Sequence, residues 1–172
     1  MKYLLIGQET ERFNFSLLKT GYFDFWMEFF KVNILRNIFT STQNYPKLNY
    51  AKYGLTNHFT DTKMNWAEWT FCLTKNKLVG QCGILIQTIE NIQLLEIGYS
   101  ILPEFWNQGF ASESAIKCKN YAFENNFANS LISMIHIYNI GSEKVAIKNG
   151  MSFEKKLNSF NIFRIDKENW HY

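Results

Sequence analysis

The sequence predicts a mixed α/β fold, and two observations carry that expectation. Strand-like runs lie on both sides of a segment with helical spacing, residues 112–127, in which Ala115, Cys118, Ala122 and Phe123 share a face. Strands before and after a crossover helix belong to a mixed sheet. The 172 residues suit one domain, and the 47% hydrophobic content, with 16 Phe and 9 Tyr, is enough for a sizeable, bulky core.

Taken in order, residues 3–6 and 12–17 read as short strands or one hairpin. Asp24 is a plausible N-cap for an aromatic-rich helix over 25–34. Residues 33–47 are poorly periodic and contain a loop, and 50–60 form a second helix weakened by Gly54. Residues 68–74 alternate, with Trp69, Phe71 and Leu73 on one face, and 75–77 turn. Strands follow at 78–89 and 94–101, joined by a turn at Glu90-Asn91; Gly98 interrupts the second and Pro103 ends it. After the helix come a strand at 130–138, a short helix at 142–148 stopped by Asn149-Gly150, and strands at 153–157 and 161–165.

Composition excludes several classes. Net charge is +3 with no Lys/Arg-rich run, which gives no footprint for nucleic acid. No apolar run approaches the ~20 residues of a membrane span. The briefly apolar start is broken by Gln8, Glu9, Glu11 and Arg12, short of a signal-peptide core. Cys72, Cys82 and Cys118 lie in apolar segments without metal-ligand spacing, so buried thiols and a cytoplasmic, reducing location are expected. His58, His136 and His171 form no metal pattern; His136 reads as a core or surface histidine, or as a side chain of a substrate cleft.

Residues 96–115 organise the rest: strand, loop, then helix. In the loop Asn107-Gln108-Gly109-Phe110-Ala111, the small residues Gly109 and Ala111 leave the backbone accessible. The first-turn N–H groups and the helix dipole favour an anion such as phosphate at this point. The loop is neither a Walker A motif nor a dinucleotide fingerprint, and a plain turn is the alternative.

Glu96-Ile-Gly-Tyr, Pro103-Glu-Phe-Trp106 and Gly109-Phe-Ala-Ser-Glu-Ser114, followed by Asn139-Ile-Gly-Ser142 and Lys148-Asn-Gly150, resemble the acetyl-CoA-binding core of the GNAT acetyltransferases. The nearest likeness is to the RimJ/RimL-type branch, firm over 78–153 and thin over 21–62; Glu9-Thr-Glu-Arg-Phe13 resembles that branch's opening strand. The resemblance implies one GNAT domain over 1–172, with a mixed, mostly antiparallel sheet flanked by helices and splayed strands that bind acetyl-CoA. It implies acetyl transfer to a primary amine, either a protein N-terminus or a small molecule. A monomer or homodimer is expected, with no metal, no nucleic acid and no membrane partner. A non-catalytic CoA-binding sensor or scaffold is the rival class.

Such a transfer needs a neutral amine, a stabilised carbonyl oxygen and a proton for the leaving thiolate. Glu96 is the candidate base; a solvated edge residue or a structural partner is the alternative. By resemblance, a bulge at Gly98 parts two strands, and the Ile101 and Leu102 backbone pairs with the pantetheine arm or polarises the thioester. Asn107, Gln108, Gly109, Phe110, Ala111 and Ser112 present N–H groups to the pyrophosphate. Gln108 stands where relatives carry Lys or Arg, so one phosphate-directed charge is missing. Asn139 caps a helix or contacts pantetheine, and the Ser142 hydroxyl lies near the sulfur. Ala146 occupies the position of the tyrosine acid that many relatives use, which leaves Ser142 as the matching donor.

Overall fold

A computed structural model describes residues 3–16, 68–74 and 77–171, with the side chains of 68–71 set apart. The helices expected at 25–34 and 50–60, the loop in 33–47, His58, the turn residues Lys75 and Asn76, and the shared face of Trp69 and Phe71 lie outside the described residues.

Among the described residues the chain builds β1 (Asn14–Ser16), β2 (Glu68–Thr74), β3 (Lys77–Ile89), β4 (Ile92–Ile101), α1 (Phe110–Glu124), β5 (Ser130–His136), α2 (Ile140–Lys148), β6 (Ser152–Leu157) and β7 (Phe160–Asp166). The seven strands form one sheet in the order β1-β2-β3-β4-β5-β7-β6. Every neighbouring pair is antiparallel except β4–β5. That pair is parallel because α1 carries the chain back across the sheet between them, as a parallel connection requires. The result is a mixed, mostly antiparallel sheet flanked by helices, as the resemblance implies.

Local chemistry accounts for the joints. Glu90 and Asn91 both take positive φ, 51° and 66°, the two-residue turn whose twist suits an antiparallel hairpin. Residues 3–6, expected as a strand, form none; Glu9 bridges Asn14 instead and β1 is limited to three residues. Helix α1 begins at Phe110 rather than 112, because Gly109 takes the left-handed φ of 84° and the chain enters the helix immediately after it. It stops at Glu124 rather than 127, since Asn126 is itself left-handed, φ 54°. Helix α2 starts at Ile140 under an Asn139 cap. It closes with Gly150 N–H on Ile147 C=O and Met151 N–H on Ala146 C=O, both 3.0 Å, a Schellman stop around a glycine of φ 83°.

The core lies between α1 and one face of the sheet. Cys82, Ile84, Leu95, Ile97 and Ile101 meet Ala115, Cys118, Ala122 and Phe123 there. The opposite face carries a smaller cluster of Ile89, Ile132 and Ile162 with Leu94 and Met134. All three cysteines are buried and unbridged, with Cys82 and Cys118 sulfurs 3.3 Å apart, and burial pushes the Cys72 and Cys118 thiols up. They are inert packing thiols.

Candidate active site

Strands β4 and β5 pair at only two positions, Leu95↔Leu131 and Glu96↔Ile132, although β4 runs on to Ile101 and β5 to His136. Beyond Glu96 the strands part. The opening does not come from a bulge at Gly98: the β3–β4 register continues through Gly83↔Gly98 to Gly80↔Ile101 without a shift. It is β5 that leaves, because from Ser130 to His136 it follows β7 residue for residue.

Alternation along β4 decides which backbone groups face the opening. Leu102 N–H donates to Val79 C=O at 2.9 Å, on the β3 side. In an antiparallel ladder the backbone direction alternates, so Glu96, Gly98 and Ser100 also address β3, whereas Ile97, Tyr99 and Ile101 address the gap. Two side chains agree: Ser133 Oγ donates to Ile97 C=O at 2.9 Å, and the Trp106 indole N–H donates to Ile101 C=O at 2.6 Å. Leu102 N–H and Ile101 C=O are therefore engaged within the chain, contrary to the expectation of a pantetheine pairing there. The Ile101 N–H and the Tyr99 N–H and C=O remain facing the gap among the described residues. Tyr99 was not among the sequence candidates, though two-residue alternation back from Ile101 would have found it.

Glu96 sits where the ladder ends. It is not a solvated edge residue: β4 is an interior strand and Glu96 is 8% exposed. Its carboxylate accepts from Gln87 Nε2 at 2.6 Å and from Met134 N–H at 3.1 Å, so it closes the root of the fork with a side chain where a ladder bond is missing. Desolvation raises its pKa from 4.5 to about 7, against the lowering effect of those two donors.

The second arm is tied to the first by a side chain. The Tyr99 hydroxyl donates to Ser142 C=O at 2.8 Å, and burial raises the phenol's pKa. Ser142 N–H donates to Asn139 Oδ1 at 3.0 Å, so Asn139 is a helix cap. The Ser142 hydroxyl has no hydrogen bond among the described residues. His136 is buried, its ring against Tyr138 and Phe160, with Nδ1 accepting from Tyr138 N–H at 3.4 Å. That is the satisfied-histidine alternative.

At the other end, Pro103–Phe105 form one 3-10 turn and residues 106–109 turn into α1. Phe110 and Ala111 are not loop residues but the first turn of the helix, with the Phe110 ring packed on Phe13 and Phe105. The first intrahelical bond is Glu113 N–H to Gly109 C=O at 3.0 Å, so the N–H groups of Phe110, Ala111 and Ser112 precede the ladder. Gln108 Nε2 is turned back onto Glu104 C=O at 2.8 Å. Arg12, which the sequence did not single out as a site residue, reaches this loop from the N-terminal hairpin.

A parted strand pair, a glycine-opened helix start and a buried carboxylate between them make up the candidate site. Residues 34–152 match the family model of the acetyltransferase (GNAT) domain. The chain belongs to the GNAT acetyltransferase family. The uncharacterized protein YkkB of Bacillus subtilis is 36% identical over 118 residues, 69% of this chain; the chain spans less than two thirds, 63%, of that relative. Among solved structures, spermidine N-acetyltransferase from Vibrio cholerae, in complex with CoA and spermine, aligns with a TM-score of 0.69 at 13% identity over 93% of this chain and 98% of that one. RimL, a ribosomal L7/L12 alpha-N-protein acetyltransferase in complex with CoA, aligns at 0.67 and 16% identity over 91% and 95%. At these identities the likeness is one of fold. The described residues contain no group of His, Cys, Asp and Glu that could hold a metal, and no helix long and apolar enough to cross a membrane.

Proposed function

We propose that this GNAT chain acts as one domain of the RimJ/RimL type that transfers acetyl from acetyl-CoA to a primary amine. The observation that carries the reading is Glu96: a buried carboxylate at the root of the fork, with a pKa of about 7. A general base works best when its pKa lies near the operating pH.

Acetyl-CoA supplies the activated acyl group as a thioester. The residues present fit it: the Phe110, Ala111 and Ser112 N–H groups with Asn107, Gln108 and Gly109 suit the pyrophosphate, and the gap-facing Tyr99 N–H and C=O with the Ile101 N–H suit the pantetheine amides. Ionised Glu96 takes a proton from the acceptor, directly or through water. A Tyr99 or Ile101 N–H polarises the carbonyl while the C–N bond forms, and the Ser142 hydroxyl gives a proton to the sulfur as the C–S bond breaks. The acceptor is a protein N-terminus or a small amine; RimL and the spermidine enzyme exemplify the two classes.

A thiol-release assay with acetyl-CoA and a panel of peptides, polyamines and aminoglycosides tests this. Amine-dependent release is expected. Binding of acetyl-CoA without release for any amine would replace the enzyme by a CoA-binding module.

A further inference from the structure

The Glu96 carboxylate is held from two directions. Gln87 Nε2, on β3, donates to Oε2 at 2.6 Å, and the Met134 N–H, on β5, donates to Oε1 at 3.1 Å. The register pairs Gln87 with Leu94 and Leu85 with Glu96, so Gln87 is the diagonal neighbour of Glu96 on the same face of the sheet. Close to the carboxylate that face is otherwise apolar or small: Leu85 and Ile132 stand opposite it, and Leu94 and Gly98 flank it on β4. Packing alone does not call for such a pair, because apolar side chains of similar volume would fill the place without desolvating a carboxylate.

We propose that Gln87 is the positioning residue of the base: its amide and the Met134 N–H fix the plane of the Glu96 carboxylate at the root of the fork and leave its unshared lone pairs to the acceptor amine. The inference rests on the reading of Glu96 as the base. Two features support it. The donors grip the two oxygens from strands on either side of β4, so the carboxylate cannot turn about its last torsion without breaking a bond. The two donors also differ in kind. A backbone N–H serves only the ionised form, whereas a glutamine amide donates to a carboxylate and, turned over, accepts from a carboxylic acid. Gln87 therefore keeps its hold on Glu96 before and after the proton is taken. Among the described residues, the other ionisable groups around Glu96 are engaged elsewhere. The Tyr99 hydroxyl is on Ser142 C=O. Arg164, which faces Ile132 across β5 and β7, pairs with Glu154 and donates to Ser130 Oγ. His136, two positions beyond Met134, packs on Tyr138 and Phe160.

Gln87→Met keeps the length and removes the donor; Gln87→Lys supplies a charged donor. For both variants and wild type, kcat and the KM for acetyl-CoA are measured across pH with a good amine acceptor, and thermal unfolding establishes that each is folded. The titration of Glu96 is followed without substrate by carbon-13 NMR of its side-chain carboxyl, assigned with Glu96→Gln. In Gln87→Met the carboxylate loses a donor to its charged form, so its midpoint and the matching rate limb move up by about one pH unit. At high pH, where Glu96 is ionised in both proteins, the kcat plateau falls about tenfold because the carboxylate is no longer oriented. Gln87→Lys moves the midpoint and limb down. The KM for acetyl-CoA stays the same in both. A Gln87→Met plateau within about twofold of wild type overturns the proposal, as does a loss of turnover with the midpoint unmoved, which is the mark of a loosened sheet. Should Gln87→Met not fold, a Gln87→Lys midpoint that stays or rises overturns it. Wild type without turnover for any amine is a different result, and it overturns the underlying reading of Glu96 itself.

Discussion

At the scale of single residues, the carboxylate of Glu96 stands at a cost to the fold. Its pKa in the folded chain, about 7, lies above the ordinary 4.5, so the folded state holds the proton more tightly than the unfolded chain does. Stability contributed by this group is present below the ordinary value and is lost as pH rises toward 7, after which it is level. At 1.36 kcal/mol per pH unit the loss is on the order of 3 kcal/mol. Glu96→Gln keeps the shape without the charge. Urea unfolding at pH 5 and pH 8 should show a drop for wild type that is much smaller in the variant; equal drops would mean that Glu96 is not buried as ionised carboxylate. Activity should move the other way. Turnover of Glu96→Gln at neutral pH should fall about 10²-fold or more, and the rate limb near pH 7 should vanish, with acetyl-CoA affinity kept. Full rate across the pH range would leave Glu96 as a structural tie between Gln87 and Met134.

Between elements, two features hold the β4 arm in place. Arm β4 is pinned to β3 by close approach at Gly80: a Cβ there would run into the Ser100 carbonyl oxygen, with the Ile101 Cα at 2.9 Å, both of them backbone atoms. Gly80→Ala should destabilise the protein by about 2 kcal/mol or more, seen as a lower urea midpoint. An unchanged midpoint would show that β3 and β4 can part without loss. Arm β4 is also tied to α2 by the Tyr99 hydroxyl on Ser142 C=O. If that bond places the Ser142 hydroxyl, Tyr99→Phe and Ser142→Ala should each lower kcat more than they raise the KM for acetyl-CoA. Their effects should also overlap in the double variant by about 0.5 kcal/mol or more. Strict additivity would mean that the tie serves stability alone.

For the molecule as a whole, a ligand lying along both arms of the fork and the start of α1 binds only the folded chain. Acetyl-CoA at about 100 times its dissociation constant adds about 2.7 kcal/mol, which in a domain of this size raises Tm by roughly 5–10 °C. A Tm unmoved by acetyl-CoA up to about 1 mM would argue against the site.

Local signals were legible in the chain. The order of strands and helices from residue 68 onward, the helix stop at Asn149-Gly150, the Asn139 cap and the buried cysteines all follow from short-range patterns: periodicity, turn chemistry and side-chain polarity. So did the family, through motifs spaced along 96–150. Those residues did not say which backbone edge of β4 faces the gap. That was decided by Leu102 pairing with Val79 and Trp106 with Ile101, contacts between segments. The fork likewise comes from β5 following β7, a pairing made across the intervening α2 and β6, and not from Gly98. Glu96 carries the same lesson: a carboxylate's pKa depends on its desolvation and donors, and only the sheet brings Gln87 and Met134 to it. Arg12 and Gln108 are 96 positions apart. Sequence sets what each stretch can do locally, and tertiary structure decides which distant groups share a charge.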